Sequence, residues 1–132
     1  MRTVLLLCVI LSGAIATWAA QEPPYTKDSM RNFMRKKLDH SQRLLEAIAL
    51  EDYTIITRES QKLSLLSKEA MWKVLETQDY VQHSKEFQRT ADAILEAGRK
   101  KNLDGAALAY VDMTMKCVNC HKYVRGVRLA SK

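Results

Sequence analysis

Both prolines of this 132-residue chain, Pro23 and Pro24, lie before residue 25, and none follows as far as Lys132. Proline inside a helix removes a backbone hydrogen bond and clashes with the preceding turn, so a long proline-free run permits uninterrupted helices. The run after Pro24 is rich in Ala, Leu, Lys, Glu and Met, which lose little on entering a helix. There is no βαβ alternation, no internal repeat and no low-complexity tract. The expected fold class is therefore all-α.

Apolar periodicity divides the run into four helical segments. The first spans about Ser29 to Ala49, with Met30, Phe33, Met34, Leu38, Leu44, Leu45 and Ile48 on one stripe and Ser41 filling one turn. Asp28 or Ser29 is its expected cap. The second spans about Asp52 to Val74, with Ile56, Leu63, Leu66, Ala70 and Met71 on one face, and Glu51 and Asp52 favouring its positive end. The third runs from near Asp79 to near Lys101, its stripe being Tyr80, Phe87, Ala91, Ile94 and Leu95. The fourth starts after Asn102, near Asp104, and continues to about Val127 through Ala106, Tyr110, Met113, Cys117, Cys120 and Val124. Short links make sequential helices antiparallel, so the expected architecture is an antiparallel up-down-up-down four-helix bundle.

The chain before this bundle reads differently. Arg2, the apolar run Val4 to Ile15, and the small residues Ala16, Ala19 and Ala20 form the three-part pattern of a secretory signal peptide. Cleavage near Ala19 or Ala20 is expected. Residues 1–20 are thus read as leader, 21–28 as an extended lead-in and 29–132 as the functional domain. The alternative is a retained N-terminal anchor, although the apolar run is short for a membrane span. Leu7 precedes Cys8, which argues against a lipoprotein attachment site. No later segment resembles a membrane helix, so no membrane span is expected after leader removal.

Without Cys8, two cysteines remain, in the sequence Cys117-Val118-Asn119-Cys120-His121. Two cysteines do not make a disulfide scaffold. The C-x-x-C-H pattern is a signal for covalent attachment of c-type haem. Its chemistry follows from helical spacing: thiols three residues apart share a face and can each add to one haem vinyl group. The histidine that follows can then reach the iron as an axial ligand. Three readings compete. A thioredoxin-like pair belongs at a strand-to-helix junction of a βαβ fold. Structural zinc needs four ligands, and His40 and His83 are isolated in the sequence. The third is chance.

A single C-x-x-C-H on the last helix of a four-helix bundle resembles the cytochrome c prime family; common small cytochromes c carry the motif near their N-terminus. That family often continues with an aromatic residue and then an arginine four positions after the histidine. Arg125 occupies the arginine position, whereas Tyr123 is displaced and Val124 stands at the aromatic place, marking a divergent member. The resemblance implies one covalent haem c held by Cys117 and Cys120, with His121 on the iron. In the low-spin branch a first-helix methionine is the second axial ligand, somewhat fewer than twenty residues before the second helix. Met34 fits that separation from Asp52, and Met30 is the reserve. His40 and His83 are weaker candidates, and His40 reads as a surface residue. Met71, Met113 and Met115 read as core or pocket lining, Trp72 as core or interface, and Tyr110 and Tyr123 as packing on the haem edge or the core. Arg125 is expected either to pair with a haem propionate or to be an exposed charge.

The expected function is an exported, periplasmic monohaem cytochrome that carries single electrons and is not an enzyme. The alternative is a five-coordinate haem protein that binds or senses small gases such as nitric oxide. A weak peroxidase is disfavoured because no distal His–Arg pair is apparent, and a role as a subunit of a larger oxidoreductase stays open. The net charge of +6 is spread along the chain, the longest basic runs being Arg35-Lys36-Lys37 and Arg99-Lys100-Lys101. Such runs are solvated helix faces that can also steer an acidic redox partner. Nucleic-acid binding is not expected, since no aromatic residues interleave with the basic ones. The family resemblance also implies a homodimer packed through the first two helices.

Overall fold

A computed structural model of the chain describes residues 26–69, 75 and 77–130. The leader, most of the lead-in, and Ala70, Met71, Trp72 and Val74 lie outside the described residues. The rest forms four α-helices: α1 (Lys27–Ala49), α2 (Tyr53–Lys68), α3 (Gln78–Arg99) and α4 (Leu103–Ala130). α1 packs on α2, α2 on α3 and α3 on α4, while α1 and α4 meet only sparsely. The fold is an all-α four-helix bundle of sequentially adjacent helices. Its fourth seam, between α1 and α4, is the loosest.

Each boundary has a local cause. Thr26, not Asp28 or Ser29, caps α1: its hydroxyl accepts from the Ser29 amide at 3.1 Å. The cap lies one turn earlier than expected because a threonine in extended backbone can reach the third amide of the helix. Asp52 does the same for α2, accepting from the Ile55 amide at 3.0 Å. Thr77 caps α3, and the Asn102 side chain accepts from the Gly105 amide at the start of α4.

The links at 50–52 and 100–102 repeat one design. Glu51 and Lys101 take left-handed backbone, with φ of 56° and 54°. The amide after each bonds back five residues, Asp52 to the Ala47 carbonyl and Asn102 to the Ala97 carbonyl, both at 2.9 Å. This is the Schellman closure, which satisfies the last carbonyls of a helix and reverses the chain in three residues.

The core contains Phe33, Leu44 and Ile48 of α1, Ile56 and Leu63 of α2, Phe87 and Ile94 of α3, and Ala106 and Met113 of α4. Three expected assignments need correction. Leu38 and Leu45 of the first stripe are exposed, and Lys37 is buried in place of Leu38. The turn from Phe33 to Leu44 runs through residues 37 and 41, so residue 38 rotates outward. Met115 is half-exposed and belongs neither to the core nor to a cavity wall. α2 stops at Lys68 rather than Val74, with Glu69 in extended backbone. In its last turns the Ser67 hydroxyl donates to the Ser64 carbonyl at 2.6 Å, a side-chain bond that competes with helix continuation.

The inner face of α2 mixes the apolar Ile56 and Leu63 with small polar residues. Ser60, Ser64 and Ser67 are buried beside Leu63. Ser64 donates to Asp92 of α3 at 2.6 Å, and Gln88 of α3 donates to the Ser67 carbonyl at 3.2 Å. At the other end Gly98 of α3 lies against Ile56 and Thr57. Small residues at both ends bring α2 and α3 close.

Candidate functional site

The sparse seam between α1 and α4 encloses a cavity of about 590 Å³. Antiparallel packing sets the first turns of α1 beside the last turns of α4. The cavity is lined from α1 by Met30, Arg31 and Met34, and from α4 by Cys120, His121, Val124, Arg125 and Arg128. Tyr80 of α3 and Leu75 complete its apolar wall, with Thr26 and Lys27 at the edge. Pockets for ligands of a few dozen atoms occupy roughly 300–1,000 Å³, so this volume suits a sizeable organic group.

Most residues singled out from the sequence meet here. Cys120 and His121 share the cavity with Met34 and Met30, which stand one turn apart on the facing helix. Arg125 also lines it. Cys117 does not reach the lining; it lies half-buried one turn back, packed against the core. Both cysteines are free thiols. Burial pushes both thiols up from their ordinary value, against the opposing pull of the nearby Lys37 charge. Burial likewise lowers the His121 imidazole, assisted by the positive charges of Arg125 and Lys37.

His40 and His83 are not at this site. His40 is not a free surface residue: its Nδ1 lies 2.6 Å from Glu59 Oε2 between α1 and α2. His83 stacks at a tilt against Tyr123, ring centroids 5.5 Å apart. Tyr123 donates to the Thr77 hydroxyl at 2.7 Å, tying the last turns of α4 to the start of α3. Tyr110 packs against the core, and its hydroxyl meets that of Ser41 at 3.2 Å. Met113 is fully buried in the core. Among the described residues no three His, Cys, Asp or Glu side chains gather where they could hold a bare metal ion.

Several neighbours of the site went unmarked in the sequence. Lys37 is 93 % buried, and its Nζ lies 3.6 Å from the Phe87 ring centroid, a cation–π contact. Burial lowers its pKa to about 7, although the adjacent thiols act in the opposite direction. Its position four residues after Phe33 was the available signal, since residues four apart share a helix face. Lys27, Arg31 and Arg128 join Arg125 around the cavity, and among the described residues no acidic side chain lines it. Arg31 also pairs with Asp28 at 3.2 Å on the exposed surface.

Comparison with known proteins finds no matching family model, no matching curated protein and no matching solved structure. What the site can do rests on its own geometry. It has an apolar interior, an imidazole and a thiol on one wall, thioethers on the other, and a cationic rim. Among the described residues no helix is long and apolar enough to cross a membrane.

Proposed function

We propose that this chain is an exported monohaem c-type cytochrome that carries single electrons, a divergent relative of the cytochrome c prime family. The observation that carries the reading is the shared cavity: Cys120 and His121 on one wall, Met34 and Met30 on the other. The residues present fit the group. A haem needs an apolar slot, a nitrogen ligand, a partner for its opposite face and cations for its two propionates. The cavity offers His121, a methionine, and Arg125 with Arg31 and Arg128 in those roles. Cys120 on the cavity wall and Cys117, one turn back on the same face of α4, would be the two points of covalent attachment, each thiol adding S and H across one vinyl double bond.

The bound haem would supply the one-electron couple. The chain's part is to set its potential and access. His121 and Met34, on different helices, would hold the group from both faces, and a methionine ligand raises the potential. Tyr80, Val124 and Leu75 would keep water from the interior, and low polarity makes a change of charge there more sensitive to its ligands. The Arg125 and Arg128 guanidiniums would receive the propionates and offset their charge. Export fits the leader-like residues 1–20, since c-type haem is attached outside the bacterial cytoplasm. The spread positive charge suits an acidic redox partner.

The test is visible spectroscopy of haem-loaded wild-type, Met34→Ala and Met30→Ala proteins, ferric and ferrous. The expected wild-type spectrum is low-spin, with the weak far-red band of a thioether–iron bond, lost only in Met34→Ala. Failure of the unmodified chain to retain haem through denaturation, when Cys117 and Cys120 are intact, would remove the cytochrome reading altogether. A high-spin spectrum unchanged by Met34→Ala, together with rapid nitric oxide binding, would replace electron carriage with the gas-binding function.

A further inference from the structure

α4 carries apolar side chains on two opposite faces. The inner face presents Ala106, Met113 and Cys120 to the bundle. The outer face presents Leu108, Val111, Met115 and Val118, which are 73, 62, 50 and 39 % exposed. Isolated exposed apolar residues are ordinary on any protein. These four are not isolated, because their spacing alternates three, four, three. That is the 3.5-residue repeat of a coiled-coil seam. Extending the alternation by four residues in each direction reaches Asp104 and Lys122, both exposed. Beyond them the same face passes Gly126, where an added Cβ would meet no atom, and the exposed Leu129.

We propose that this outer seam of α4 is a dimer interface that takes a second copy of the same chain, with the two α4 helices antiparallel. The order of residues is what selects this occupant. Reversing the helix about the level of Met113 sets Leu108 against Val118 of the second copy and Val111 against its Met115. The same operation brings Asp104 opposite Lys122 at both ends of the seam. An isologous two-fold contact requires a surface complementary to itself, and this seam is so both in apolar pattern and in charge. Parallel pairing would instead stack Asp104 on Asp104 and Lys122 on Lys122, which repels.

A homodimer through the first two helices, which the family resemblance implies, would have a poorer seam, since among the described residues α2 adds only Leu65 to the exposed leucines of α1. Leu38 and Leu45 are separated by the polar Ser41 and Gln42, and no second apolar pair continues their line. The outer seam of α4 also faces away from Cys120, so pairing there leaves the cavity open to its own ligand. This inference stands independently of what the cavity binds.

Sedimentation velocity of the chain from residue 21 onward, over a range of micromolar concentrations, tests it. The unmodified chain is expected to dimerise, and Val111→Asp with Met115→Asp to yield monomer of unchanged helicity. Leu38→Asp with Leu45→Asp is expected to leave the dimer intact. Lys122→Asp alone places acid against Asp104 and should weaken dimerisation at least about tenfold, and adding Asp104→Lys should restore it. The charge-swap series decides the matter if the seam variants fail to fold, because both charged positions are exposed. A monomer at high micromolar concentration, a dimer lost only with the α1 variants, or no recovery in the double swap would each overturn the proposal.

Discussion

Glu59 has no exposed side-chain surface, and it is kept ionised by three donors: His40 at 2.6 Å, Arg58 at 2.9 Å and Lys62 at 3.2 Å. Burial alone would raise its pKa, but these hydrogen bonds outweigh burial and hold it at about 2. A carboxyl held below its unfolded value adds stability that is present above about pH 4.5 and lost as pH falls toward 2. Since Arg58 and Lys62 reach solvent, screening reduces the contribution to on the order of 2 kcal/mol. Glu59→Gln should lose about that much at pH 7, and the gap from wild type should narrow below about pH 4.5 and close only as pH falls through about 2, as urea titrations across pH will show. This cluster was not legible from the sequence. His40 and Glu59 lie on different helices, and only packing of α1 on α2 brings the imidazole onto the carboxylate. Lys37 was partly legible, because its register with Phe33 and Leu44 places it on the inner face. Local pattern favours Leu38 there on polarity alone, whereas the helix geometry favours residue 37.

At the scale of the helix, α3 is held against α2 by the absence of a side chain. A Cβ on Gly98 would lie 2.9 Å from Ile56 Cγ2, 3.0 Å from Thr57 Oγ1 and 3.4 Å from the Thr57 amide nitrogen. Alanine is the better helix former by about 1 kcal/mol, but overpacking against the branched Ile56 and Thr57 side chains costs about 1–3 kcal/mol. Gly98→Ala should therefore destabilise the fold by up to about 2 kcal/mol, read as a lower denaturation midpoint with an unchanged slope. Lys101 presents the opposite case. Its left-handed backbone suits glycine, and the Schellman bonds around it use only main-chain atoms. Lys101→Gly should stabilise the chain by about 0.5–1 kcal/mol, the relief of side-chain strain exceeding the added freedom of the unfolded glycine. The helices themselves were readable from the missing prolines and the apolar period. The end of α2 was not, because serine back-bonding and the packing of Gln88 on the last turn act outside any periodic pattern.

For the whole molecule, the loose α1–α4 seam is the consequential feature. Three seams of the bundle are closed by close packing, while the fourth holds the cavity at its open end. A covalently held haem would tie α4 to α1 through His121 and Met34 across that gap. Amide hydrogen exchange should then be faster in a haem-free Cys117→Ser/Cys120→Ser chain at residues 27–34 and 120–130, with α2 and the middle of α3 nearly unchanged. Equal protection in loaded and haem-free chains would show that the cavity closes without the group. The four basic residues at the rim, together with a sequence pI of about 9.3, give the same end of the molecule its positive face.

The sequence by itself determined that the chain is helical, that it divides into four segments with short links, and that two thiols and an imidazole share one stretch of the last helix. Those properties are set within a few turns, by propensity, capping and the 3.6-residue period. Only the tertiary structure decided what faces that stretch. It brought Met30, Met34 and a set of arginines from both ends of the chain to one cavity, set His40 on Glu59 and left a second apolar seam of α4 facing outward. Those arrangements depend on which helices touch and how closely, and close contact is decided by the volume of side chains far apart in sequence.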